Sequence, residues 1–403
     1  MSEPTSIYAD NNATTAVAPE VAAAMQPFLG PEFYNPSSMY EPAQGVAEAV
    51  GRARQTVADF LGGVTPREVV FTSCATESNN MAIFGVAAAV PARKHIVTSA
   101  VEHPAVLEVC KEMQRRGYEV TYLGVDRHGR LSTADYVRAL RPDTLLVSLM
   151  HANNETGVVW PVGDWARIAK ETDPGIVFHT DATQSAGKLS LDLTGELKHV
   201  DLLSFSGHKM HAPKGVGALF MRRGTPLRPY MLGGHQEESR RGGTENVPYI
   251  AALARACELA REHEADMPRI AKLRDWLQEE LSRRITHLEV NGLGVERTPN
   301  TLHVSCHFIE GEAMLYDLNR YGIYASTGSA CSSGSLEPSH VLQALGVPFT
   351  ALHGSIRFSF SAYTTEAEVR RIAEVFPEVV ANLRKMSPYW DQKNNLPRET
   401  GPA

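Results

Sequence analysis

Thr144-Leu145-Leu146-Val147-Ser148-Leu149-Met150 runs straight into His151-Ala152-Asn153-Asn154-Glu155-Thr156-Gly157. The first segment shows almost no polar–apolar alternation. That is how a strand covered on both faces reads, because neither of its sides meets water. The abrupt turn to polar residues marks where such a strand leaves the core. Comparable short apolar runs fall at 68–72, 95–99, 176–180, 201–205 and 217–221, with helix-compatible segments between many of them. This alternation predicts an α/β fold, a mostly parallel sheet between layers of helices.

Beyond residue 250 the pattern changes. A long helical stretch spans 251–285, with Ile270, Leu273, Leu277 and Leu281 forming an amphipathic stripe. Pro268 interrupts it, at a point where helices end or kink. The remainder alternates strands (287–292, 301–308, 355–360) with helices (311–320, 340–345, 366–386), which predicts a smaller α+β domain. The polar tail from Asp391 on carries two prolines and reads as unstructured.

Composition narrows the function. At ~150 residues per domain, 403 residues allow two or three domains. The formal charge of −7 argues against an extended nucleic-acid surface, which needs clustered Lys and Arg. No apolar run approaches the ~20 residues of a membrane span. Met1 to Tyr8 lacks the basic start and apolar stretch of a secretory signal, so a cytoplasmic protein is expected. The cysteines 74, 110, 257, 306 and 331 are scattered without any C-x-x-C pair, unlike a disulfide framework or a zinc module.

In open parallel sheets, ligands bind beyond the carboxyl ends of the strands. Those ends carry Ser73-Cys74-Ala75-Thr76-Glu77-Ser78, Val101-Glu102-His103-Pro104, the Asn153-Asn154 loop, Asp181-Ala182-Thr183-Gln184 and Ser206-Gly207-His208-Lys209. A helix opening at about Thr76 offers free N–H groups to a phosphate, although alone it reads equally as an ordinary cap. Together with an Asp and a Lys at strand ends, the set matches the needs of pyridoxal phosphate: an amine for its aldehyde, and a carboxylate for its ring nitrogen. The P-loop pattern is absent, and Lys214-Gly215-Val216-Gly217 lacks the context of a dinucleotide fingerprint. His208 and His211 have metal-like spacing but no third ligand nearby, so no intrinsic metal is expected.

One cysteine stands apart. Cys331 lies within Ala325-Ser326-Thr327-Gly328-Ser329-Ala330-Cys331-Ser332-Ser333-Gly334-Ser335, whose small residues predict a mobile, solvent-reachable loop. A thiol there becomes reactive if a nearby cation or helix end lowers its pKa from ~8.5.

At this point the chain resembles the group I cysteine desulfurases, fold-type I pyridoxal-phosphate enzymes of the class-V aminotransferases. The matching stretches include Asp10-Asn11-Asn12-Ala13-Thr14-Thr15, Asn35-Pro36-Ser37-Ser38, Ala75-Thr76-Glu77-Ser78, Glu102-His103-Pro104, Asn153-Asn154-Glu155-Thr156-Gly157, Asp181-Ala182-Thr183-Gln184, Ser206-Gly207-His208-Lys209, Gly242-Gly243-Thr244-Glu245-Asn246, Gly328-Ser329-Ala330-Cys331 and Ser355-Ile356-Arg357-Phe358-Ser359. Gly233-Gly234-His235-Gln236-Glu237 and Ser387-Pro388-Tyr389-Trp390 resemble the nitrogen-fixation (NifS-like) branch in particular.

The resemblance implies a large cofactor-binding domain over 15–262. A small domain over 1–14 and 263–390 would carry the Cys331 loop, and 391–403 would be a tail. Lys209 would hold pyridoxal phosphate as a Schiff base. Ala75, Thr76, Ser206, Gly207 and His208 would hold its phosphate, and Thr244 would reach the phosphate of the neighbouring subunit in a homodimer. Asp181 would pair with the ring nitrogen, Gln184 with the ring hydroxyl, and His103 would stack on the ring. Asn154, also beside the cofactor, and Arg357 would orient the substrate carboxylate, helped by Asn35.

L-cysteine would then yield L-alanine and a persulfide on Cys331, passed to an iron–sulfur scaffold protein serving nitrogenase. Cys331 could there transiently ligate a nascent cluster. A housekeeping iron–sulfur or thio-modification desulfurase shares these residues and stays open as an alternative, as does a related pyridoxal-phosphate lyase such as a selenocysteine lyase. No nucleic acid and no membrane partner is expected. Glu238-Ser239 replaces the Arg-Gly expected after His235, a departure that puts the local subunit contact in doubt.

Overall fold

The computed structural model describes residues 6–327, 338–391 and 396–398. A seven-stranded sheet dominates it, in the order Val69–Thr72, Gly217–Met221, Leu202–Ser206, Val177–Asp181, Thr144–Ser148, His95–Ser99, Glu119–Leu123. The five strands from 202–206 to the 119–123 edge run parallel, while 217–221 lies antiparallel to both of its neighbours.

The apolar runs resolve into two faces. Val69, Phe71, Val97, Val147, Phe178, Leu203, Phe205 and Phe220 point into one core. The helices Glu41–Phe60, Val162–Thr172 and Val247–Glu262 line that core. Val70, Ile96, Leu146, Val177, Leu202 and Leu219 point into the other, beneath Ala75–Ala89 and Pro104–Arg115. The period-2 alternation is present, but both phases are apolar because both are covered.

A second sheet, antiparallel, sets Thr301–Cys306 between Leu288–Val290 and Ser355–Ser359. Its core is built with Met267–Arg284, Gly311–Arg320 and Glu366–Met386. The N-terminal strand Ile7–Tyr8 pairs in parallel with Ile323–Tyr324, and Asp10 bridges to Ser359. That pairing threads residues 10–15 between the second sheet and the carboxyl ends of the first.

Three local expectations change. Pro268 does not break a helix. It sits in the first turn of Met267–Arg284, where a missing N–H costs nothing, and the interruption is the short 3-10 turn His263–Asp266. The strand Glu119–Leu123 escapes the apolar-run criterion because it is an edge strand, exposed at Glu119 and half-buried from Val120 to Tyr122. The tail is not wholly unstructured: Trp390–Asp391 pairs with Leu396–Pro397, and Trp390 is buried against Phe308 and under the Arg384 guanidinium.

Candidate active site

At the carboxyl ends of the large sheet lies a cavity of about 350 Å³. Ala75, Thr76, His103, Asn154, Asp181, Gln184, Ser206, His208, Lys209 and Arg357 all line it. Strand ends and turns deliver most of them. Val177–Asp181 carries Asp181 on its last residue, and Leu202–Ser206 ends in Ser206 before the turn Gly207–Lys209. Gly207 does not line the cavity. A Cβ there would stand 2.8 Å from Ala212 Cβ, so only glycine lets the turn fold this tightly.

Asp181 is held on both oxygens. Asn79 Nδ2 donates to Oδ2 at 2.7 Å, and Thr183 N donates to Oδ1 at 2.9 Å. His103 caps the helix Pro104–Arg115, its Nδ1 accepting from Ala105 N at 3.1 Å. Burial, then the Lys209 charge, depresses the ring's proton affinity against the pull of Asp181. The imidazole is therefore neutral, with its proton on Nε2. Burial followed by the charges of Lys209, Lys214 and Lys188 pushes His208 down to about 4.

Lys209 Nζ donates to Asn12 O and Ala13 O, each at 2.7 Å. Arg357 is 2% exposed; its guanidinium donates to Asp10 Oδ1 at 2.7 Å and to Asn154 O at 2.8 Å.

The residues fit pyridoxal phosphate. Thr183 Oγ1, Gln184 Oε1, Ser206 Oγ and Asn79 Oδ1 are buried polar atoms without a hydrogen-bond partner among the described residues, and all four residues line the cavity. Each such atom costs about 1–3 kcal/mol unless something satisfies it. A ligand that offers anionic oxygens to the two hydroxyls and N–H or O–H donors to the two amide oxygens, between the N-terminus of Ala75–Ala89 and Asp181, would do so.

Two expected residues lie elsewhere. Asn35 turns its Oδ1 back onto Ser37 N at 2.9 Å and is exposed. Thr244 lines a separate hollow with Ser73, Gly215 and Arg241. Nearby, Glu237, Glu238 and Ser239 adopt left-handed backbone, and Arg54 pins the buried Glu237 carboxylate in a two-pronged ion pair. Cys331 lies outside the described residues. Of the described residues on either side, Ser326 bridges to Arg357, and Ser339 Oγ donates to buried Glu155 Oε2 at 2.6 Å. The other cysteines behave as packing groups. Burial raises the Cys110 and Cys306 thiols to about 12 and Cys257 higher still, while Cys74 lines the cavity.

Sequence reasoning assigned no role to Asn12, Asn79 or Asp10. Asn79 follows Thr76 by three positions on one helix face, a spacing that could have flagged it. Asn12 sits among several partners, and its N–H donates to Ser359 Oγ at 2.9 Å. Besides accepting from Lys209, its O accepts from Gln184 Nε2 at 3.0 Å, and its side chain meets Thr301 Oγ1, Asn300 Nδ2 and Asn154 O.

Glu102, next to His103, is wholly buried. Its Oε1 accepts from Ser99 Oγ at 2.7 Å and Met150 N at 3.0 Å, and Oε2 has no partner among the described residues. Burial lifts its pKa from 4.5 to about 8, with Asp181 adding to the rise. The folded state thus holds a proton that the unfolded state gives up, and stability falls as pH climbs from 4.5 toward 8. Glu102→Gln, neutral at every pH, is expected to flatten that fall. Urea unfolding across this range measures it, and parallel wild-type and variant curves would contradict it.

The model of the class-V aminotransferases matches residues 7–372. Cysteine desulfurase 2 of Trichormus variabilis is 52% identical over 383 residues, covering 95% of each chain. Cysteine desulfurase NifS of Azotobacter vinelandii is 48% identical over 385 residues, again 95% of each. The chain belongs to the cysteine desulfurases of the class-V aminotransferase family. Among solved structures, a NifS-like protein superposes with a TM-score of 0.88 at 38% identity, over 94% of this chain and all of its own. DndA from Streptomyces lividans matches with a TM-score of 0.73 at 40% identity, over 86% of this chain and 97% of its own. Like other class-V aminotransferases, this cysteine desulfurase has the fold of pyridoxal-phosphate enzymes. Among its described residues no helix is long and apolar enough to cross a membrane.

Proposed function

We propose that this desulfurase, bound to pyridoxal phosphate through Lys209, takes sulfur from L-cysteine, leaving L-alanine and a persulfide on Cys331. The observation that carries this is the convergence of the Lys209 amine, the doubly held Asp181 carboxylate and the unpartnered Ser206, Thr183 and Gln184 atoms on one cavity closed by Arg357. When bound, the cofactor supplies an aldehyde for amino groups and a ring that accepts electrons.

The chain's residues do the rest. Ala75 and Thr76, with Ser206 and His208, would hold the phosphate, while Asp181 would pair with the ring nitrogen, Gln184 with the ring hydroxyl, and His103 would stack on the ring. Arg357 and Asn154 orient the substrate carboxylate. Lys209 Nζ takes the α-proton and later returns it, with the carbonyls of Asn12 and Ala13 receiving the ammonium in between. The Cys331 thiolate attacks the cysteine sulfur; the Cβ–S bond breaks, and its electron pair stays with the carbon skeleton that becomes alanine.

Asn35 and Thr244 serve the partner's cavity in a homodimer. Outward-facing Phe33, stacked on Tyr34 at 4.6 Å, and Met39 support such a contact. The large unit spans 15–262, and 1–14 joins 263–390. Cys331 delivers its sulfur in the cytoplasm to an iron–sulfur scaffold serving nitrogenase.

Borohydride reduction followed by peptide mapping tests the attachment, which is expected on Lys209. Incubation with L-cysteine should give alanine and one labile sulfur on Cys331. Undiminished sulfide and alanine release by Cys331→Ala would refute the mechanism.

A further inference from the structure

Lys188 has no part in the roles above. It ends the turn that follows Asp181, and its ammonium donates to Gln184 O at 3.1 Å. Among the described residues no carboxylate pairs with it. Two hollows meet at this side chain. One is an open groove of about 550 Å³ on the surface. The other is a chamber of about 30 Å³ that Lys188 and Lys209 both line and Asp181 does not. The two amines also share a relay of bonds. Gln184 takes Lys188 on its backbone oxygen and sends Nε2 to Asn12 O, the acceptor of Lys209 Nζ.

Among the described residues no carboxylate lines the chamber. His211, with Nδ1 against Ala16 O, and His263 line the chamber, and Arg357 adds its charge from the second sheet. Asp59, Asp192 and Glu264, with Arg261, face the solvent-filled groove. Asp181 and Asp10 lie on the cavity side, bonded to Asn79 and Arg357.

We propose that Lys188 is a positioning residue for Lys209: its ammonium, lining the same chamber as the reactive amine, keeps that amine free of its proton and able to attack an aldehyde or take an α-proton. The idea rests on Lys209 being the cofactor-holding amine. The coupling is mutual, since burial and then the charges of Lys209 and Arg357 push Lys188 down to about 7. Two such groups titrate as a pair, and removing either charge raises the other's proton affinity.

The test starts from cofactor-stripped enzyme and follows by absorbance the rate of pyridoxal phosphate uptake against pH. For Lys188→Met the half-rate pH should move up by about one unit. For Lys188→Arg, which keeps the charge, it should stay at or below that of the wild type. A Lys188→Met profile that superimposes on the wild type, or moves down, overturns the proposal. The converse measurement needs no Lys188 variant. In Lys209→Ala, competitive amine labelling read by mass spectrometry should place the Lys188 midpoint above its wild-type value of about 7. An unchanged midpoint also overturns the coupling. If the wild type takes up no pyridoxal phosphate at Lys209, the functional reading falls, while the labelling midpoints still decide the coupling.

Discussion

Lys209→Ala should lower alanine formation from L-cysteine by at least ~10³-fold, within the range that positioned proton transfer supplies. On the proposed roles, two functions would leave with one amine: the attachment of the cofactor, and the carrier of the α-proton. No neighbour replaces it. His103 is kept neutral by burial, with Nδ1 occupied by Ala105 N, and Lys188 lines the small chamber rather than the cavity. Cofactor should still bind non-covalently, because the groups assigned to its phosphate and ring are untouched. The expected pattern is therefore loss of the borohydride-fixed adduct with retention of bound pyridoxal phosphate. Single-turnover alanine release measures the first effect and equilibrium dialysis the second. A Lys209→Ala enzyme that still turns over within tenfold of the wild type would remove Lys209 from the chemistry.

Arg357→Ala should reduce kcat/KM for L-cysteine about 10²-fold, mostly through KM. A hydrogen bond to a charged group contributes about 1.5–3 kcal/mol, and a guanidinium can offer a carboxylate two in one plane. The substitution carries a second cost. Arg357 is buried and bonds Asp10, so its removal strands a carboxylate that is only 18% exposed. Breaking a buried pair costs about 3–5 kcal/mol, and the residual solvation of Asp10 puts this one at the lower end. Arg357→Lys separates the two effects. It restores a charge beside Asp10, hence much of the stability, but lacks the planar fork and should leave KM high. Steady-state kinetics and urea midpoints on both variants check this. If Arg357→Lys recovers KM as fully as stability, Arg357 does not orient the substrate.

What could be read from residue order follows from how water is excluded. Strands covered on both faces leave unbroken apolar runs, so the central strands of the large sheet were legible, and the half-buried edge strand Glu119–Leu123 was not. Asp181, Ser206 and Lys209 were legible for a related reason: each stands where an apolar run stops, and in a parallel sheet those stops share one rim. Asn12 left no such mark. It lies 197 residues from Lys209, and nothing in Asp10-Asn11-Asn12 says which side chains it will meet.

Residue order alone carries the layered α/β architecture, the strand-end residues that line the cavity and the family, because periodicity and strand ends are local properties of the chain. Only the tertiary structure decided the charge states and the partners. Nothing in the order of residues sets the charge of Glu102 or Lys188. Burial without a counter-charge brings the first up to about 8 and the second down to about 7. Burial and the nearness of other charges are fixed by contacts between distant segments, and so they exist only once the chain has closed on itself.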